Sequence, residues 1–114
     1  MKADYKTFPE LFDYATWRAE KSVRRNDPIA ALYWMKVREW AKQTRFTDDL
    51  EKHLDVLKYS LNYHANGFNL QDAVGIYWQM KHVRTMLRNR GIKTERFSLN
   101  WLRDVFTYLT NVPI

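Results

Sequence analysis

Apolar positions recur with a helical period along the whole chain. Phe8, Leu11, Phe12, Ala15, Ala19 and Val23 fall at spacings of three and four and predict an amphipathic helix through about Arg25. A second helix, from 28 to about 45, has its core stripe at Ile29, Tyr33, Val37 and Trp40. A third runs to about Ala65 on Leu50, Leu54, Leu57 and Leu61, and a fourth to about Asn89 on Ala73, Ile76, Tyr77, Met80, Val83 and Leu87. A fifth, opening between Thr94 and Leu99, turns Phe97, Trp101, Val105 and Leu109 inward and ends near Asn111. No segment alternates with a period of two, so strands are not expected.

The punctuation agrees with this pattern. Thr7-Phe8-Pro9-Glu10 reads as a capping box with proline in the first turn, and Asp27-Pro28 caps the second helix. Thr47 caps the third, with Asp48 and Asp49 at the positive end of its dipole, and Asn69 caps the fourth. Asn66-Gly67-Phe68 and Gly91-Ile92 have the form of C-terminal caps, and Pro113 stops the last helix. Short connections between helices favour antiparallel neighbours. The expected fold is therefore all-α: one compact domain, 1–114, built as a bundle of five helices, or four long and one short, mostly antiparallel.

Composition narrows the class. At 114 residues, with 46% hydrophobic and 28% charged, the chain suits one core. Its longest apolar run, Ile29 to Met35, is far short of the ~20 residues of a membrane span, and Met1-Lys2-Ala3-Asp4 leads into no signal-type apolar core. A cytoplasmic protein without a membrane partner is the expectation. The absence of cysteine excludes disulfides, thiolate metal sites and thiol catalysis.

Charge changes the picture more. The net charge of +6 and a pI near 9.7 call for acidic partners, whether nucleic acid, an acidic protein face or anionic lipid. Most of the excess lies in 70–96, where Lys81, Arg84, Arg88, Arg90, Lys93 and Arg96 face only Asp72 and Glu95. On a helical projection Trp78 falls in the middle of the polar side, with Gln71, His82, Thr85 and Asn89, flanked by Lys81 and Arg88. In the second helix Trp34 lies at the edge of the core stripe beside Arg38 and Arg45, with Lys42 further round.

One interpretation makes both indoles flat surfaces for a base or a partner, with the cations neutralising phosphates or carboxylates. The other has each indole filling a second helix interface under long basic side chains. Packing is the better account of Trp34; for Trp78 both stand. Six cations exceed what one helix end needs to balance its dipole. The candidate binding residues are thus Trp78, Lys81, His82, Arg84, Arg88, Arg90, Lys93, Arg96, Trp34, Arg38, Lys42 and Arg45.

Catalytic chemistry finds little support. His53 lies one turn after Asp49, but no further donor converges on them for a metal. His64 continues the leucine stripe and reads as a core-edge residue near a helix end. No nucleophile motif and no Gly-rich phosphate loop is present. A helix-turn-helix at Gly67 fits poorly, since Tyr63 stands where a small residue normally permits close crossing. No residue pattern identifies a family. In size, charge and helicity the chain is similar in type to small helical subunits and phage- or plasmid-encoded regulators of bacterial nucleoprotein machines.

The leading expectation is a non-catalytic accessory or regulatory protein, with no cofactor and no metal. It would belong to a larger complex or oligomer and touch nucleic acid backbone largely without sequence specificity. The alternative is a protein-only binder, an inhibitor or adaptor, using the same face against acidic residues.

Overall fold

The computed structural model describes residues 1–44, 49–67 and 70–94. Four α-helices and no strand occur among them: α1 Phe8–Arg24, α2 Pro28–Gln43, α3 Leu50–Asn66 and α4 Leu70–Asn89. Their sequence-adjacent members pair, α1 on α2 and α3 on α4. The fifth helix expected beyond Thr94 lies outside the described residues.

Local chemistry explains where each helix starts and stops. The Thr7 hydroxyl accepts from the Glu10 amide at 3.3 Å. Glu10 reaches back one residue further than a capping box requires, to the Lys6 amide at 2.9 Å. Asp27 accepts from the Ala30 amide at 3.1 Å and so opens α2 behind Pro28. For α3 the cap is Asp49, not Thr47: its carboxylate takes the Lys52 amide at 3.0 Å, and the helix begins at Leu50.

The C-terminal ends differ from one another. Gly91, at φ +80, closes α4 with its amide on the Arg88 carbonyl and the Ile92 amide on the Leu87 carbonyl. This is the left-handed turn that its glycine predicts. Asn26, at φ 56, does the same for α1, with bonds to Val23 and, from Asp27, to Ser22. Asparagine tolerates that region, so this second turn lacks the glycine signal. Gly67 is not such a cap: it has no positive φ, and its amide continues the helical ladder to Tyr63.

One core runs through the four helices. α3 gives Leu50, Leu54, Leu57 and Leu61; α4 gives Ala73, Met80, Val83, Met86 and Leu87; α1 and α2 add Phe8, Leu11, Ala15, Val37 and Ala41. Aromatic rings join the two helix pairs. Phe8 meets the edge of Trp40 at 5.2 Å and of His53 at 5.7 Å, and Trp40 meets Trp78 at 5.4 Å. At the α1–α2 turn, positions read as core are outside it. Val23 is 62% and Ile29 82% exposed. They flank the α1–α2 turn, where Ser22 is buried instead and returns its hydroxyl to the Arg18 carbonyl.

Candidate nucleic-acid interface

The location of the site follows from how α4 is covered. Between Ala73 and Asn89 only Val74, Lys81 and Arg88 are exposed, each seven residues after the last. Tyr77 and Arg84, half-buried, sit between them in the same row. At ~100° per residue these five side chains occupy a sector of about 80°, and the rest of the circumference faces protein. The helix is therefore enclosed on two sides. Ala73, Met80, Val83 and Leu87 supply one, and Trp78, His82, Thr85 and Asn89 the other.

That second side overturns the placement of His82 and Trp78 on an open polar face. His82 is 3% exposed. The Tyr5 hydroxyl lies 2.7 Å from its Nδ1 and the Tyr33 hydroxyl 2.8 Å from its Nε2. In a neutral imidazole one nitrogen donates and the other accepts, so one tyrosine hydroxyl accepts and the other donates. Burial, with the nearby Lys81 ammonium, lowers the His82 pKa to about 4. Burial also raises Tyr33 and pushes Tyr5 up to about 12, partly offset at Tyr5 by the Thr85 hydroxyl. The pairing is thus between neutral groups. Trp78, half-buried, stands edge-on to Tyr33 at 6.1 Å and to His82 at 6.2 Å, so its ring belongs to the interior.

The same side pins the N-terminal segment to the end of α4. The Asn89 amide donates to the Ala3 and Tyr5 carbonyls at 3.1 and 2.7 Å, and Arg90 Nε donates to the Lys6 carbonyl at 2.8 Å. Arg90, counted among the anion contacts on sequence, has a structural bond as well.

The outward sector leads into an open cleft of about 630 Å³ lined by Arg84, Arg88, Gly91, Ile92, Lys93 and Thr94. Lys93 and Arg88 are exposed at its mouth, and Arg84 is half-buried in its wall. The left-handed turn bends the chain back so that Lys93 shares one hollow with two arginines from the last turns of α4. Nothing within 4 Å of Gly91 would meet an added Cβ, so the turn leaves the hollow open. Asp72 is the one carboxylate of α4 and sits in its first turn, at the other end of the helix.

The remaining candidates do not join this cleft. Trp34 is half-buried, edge-on to Tyr14 at 5.5 Å and Tyr33 at 5.0 Å, and the Arg18 guanidinium lies 5.1 Å above its ring. Arg38 donates from Nε to the Thr16 hydroxyl at 2.8 Å and lies 4.7 Å over Phe12, which ties α2 to α1. Lys42 is exposed beside a smaller recess with Pro9, Phe12 and Asp13. Arg45 and Arg96 lie outside the described residues. His53 is half-buried between Phe8 and Trp40, its pKa lowered by burial, and its Nε2 has no hydrogen-bond partner. Among the described residues no cluster of three or more His, Asp or Glu could hold a metal, and no helix is long and apolar enough to cross a membrane.

No family model, curated protein or solved structure matches the chain.

Sequence reasoning found the cations of the cleft and missed two other features. The apolar stripe predicts Tyr77 in the core, whereas it is half-buried and falls in the helical sector of Val74, Lys81 and Arg88. On α3, Val56, Tyr59 and Tyr63 are exposed at i, i+3 and i+7, opposite the buried leucines. The leucine stripe draws attention to one face of α3, but the spacing of these three residues was there to be read on the other.

Proposed function

We propose that this protein is a non-catalytic accessory or regulatory subunit that docks on the sugar-phosphate backbone of nucleic acid through the outward row of α4 and the cleft at its end. The observation that carries this reading is the convergence of Arg84, Arg88 and Lys93 on one open hollow, with Lys81 one turn up the same row. Three side chains in the cleft and a fourth beside it exceed what the C-terminal dipole of α4, about half a charge, requires. Contacts of this kind position a protein without reading sequence.

Fluorescence anisotropy with generic oligonucleotides over a salt series tests it. Four phosphate contacts on a single strand give a slope of log affinity on log salt of about −3. The double reversal Lys81→Glu with Arg88→Glu removes binding and leaves the helical circular dichroism unchanged. Flat, salt-independent binding would end the proposal.

A second reading has a specific observation behind it. Tyr59 and Tyr63, at 76% and 68% exposed, with Val56, form an apolar row on the outside of α3. Tyrosine is enriched where proteins meet proteins, so this face favours a protein partner, within the same assembly or in place of nucleic acid. Loss of a partner on Tyr59→Ala with Tyr63→Ala, while oligonucleotide binding stays intact, would assign the two faces separate roles.

A further inference from the structure

We infer that the nucleic acid held by this face is single-stranded, with one base stacked on Tyr77 as the backbone runs along Lys81, Arg84 and Arg88 into the cleft. The inference rests on the proposed function and deepens it. Its basis is the order of side chains along one row: an aromatic ring, then a lysine and two arginines at intervals of four, three and four residues. From Tyr77 to Arg88 the helix rises about 16 Å, the length of about five nucleotides at a stacked rise of ~3.4 Å.

The interior of the protein fixes which aromatic is available. Trp78 and Trp34, the larger rings, are engaged edge-on with Tyr33 and His82 inside the molecule. Tyr77 makes no ring contact of that kind among the described residues and borders Val74 and Lys81 in the open sector. An aromatic surface next to a line of cations suits unpaired bases, whose faces are free, because stacking is indifferent to base identity. A duplex offers the cations the same phosphates and leaves the tyrosine unused, since its bases are already stacked. The acidic side chains of a peptide, Asp and Glu, have no ring to place on it.

The row is also held rigid. Asn89 and Arg90 fix the N-terminal segment to the last turn of α4, and His82 joins its middle to Tyr5 and Tyr33. The spacing between ring and cleft is therefore set before a ligand arrives, which limits the ordering cost of binding.

The test compares four probes on the intact chain in low salt: an oligothymidine of about eight nucleotides, an abasic oligomer of the same length, a duplex, and polyglutamate. The inference predicts that oligothymidine binds at least fivefold more tightly than the abasic oligomer, the lower end of what one stacked base contributes. Tyr77→Ala abolishes that preference and Tyr77→Phe keeps it, with folding of both checked by circular dichroism. Equal, salt-dependent affinity for the base-bearing, abasic and duplex probes overturns the stacking inference and leaves the backbone proposal standing. A preference for bases that survives Tyr77→Ala removes Tyr77 from it. Polyglutamate bound as tightly as the oligonucleotide, or no salt-dependent binding to any nucleic acid, overturns the proposed function and this inference together.

Discussion

The two sides of α4 differ in what their polar residues do. On the inner side His82, Thr85 and Asn89 are spent on the protein: His82 on two tyrosine hydroxyls, Thr85 on the Lys81 carbonyl, Asn89 on the backbone of the N-terminal segment. On the outer side Lys81 and Arg88 project into solvent beside Arg84 and Tyr77. Both sides look polar in sequence, and only one is a surface. A polar stripe on a helix becomes a surface only where no neighbour supplies matching hydrogen-bond partners, and here Tyr5 and Tyr33 supply them.

Removing the inner contacts should have the largest effect. His82→Leu strands the buried Tyr5 hydroxyl, at about 1–3 kcal/mol, and takes a partner from the half-buried Tyr33 hydroxyl, so chemical denaturation should show a loss of about 2 kcal/mol or more. An inner side that tolerates this change would mean the tyrosines find other partners. The burial of His82 also sets a pH dependence. Because His82 titrates at about 4 in the folded chain and near 6.5 when unfolded, the unfolded state binds the proton more tightly. Stability is then present above pH 6.5 and lost as pH falls toward 4, by about 3 kcal/mol in all. His82→Phe should lack this component, narrowing its gap from the wild type in acid.

Smaller effects sharpen the contrast. Asn89→Ala removes two bonds to the N-terminal segment and should cost about 1–2 kcal/mol, with faster amide exchange reaching residues 3–6. On the outer side Lys81→Ala with Arg88→Ala should change stability by less than about 0.5 kcal/mol while weakening oligonucleotide binding. A stability loss as large as that of Asn89→Ala would show that these cations hold the fold and are not a docking face.

Much of the fold was legible in the chain because it is written locally. The Thr7 and Asp27 caps, the Gly91 turn and the four buried leucines of α3 each need only a few neighbouring residues to recognise. What was not legible depends on distant partners. Nothing near His82 in sequence announces Tyr5, 77 positions away, or Tyr33, 49 away. Asn26 hid a left-handed turn behind a residue that is common in ordinary loops. Of the candidate site, the cations of the cleft were found from charge alone. Tyr77 was harder to place, because α4 is covered on two sides and its exposed residues, Val74, Lys81 and Arg88, share the sector of Tyr77 and not that of Trp78.

The most direct test of the outward face is a paired salt titration on a single-stranded oligonucleotide, comparing the wild type with Lys81→Ala, Arg88→Ala and Lys93→Ala combined. The account predicts a slope of about −3 for the wild type and one shallower than about −1 for the triple variant, with both chains equally helical. Equal slopes for the two would place binding elsewhere and contradict it.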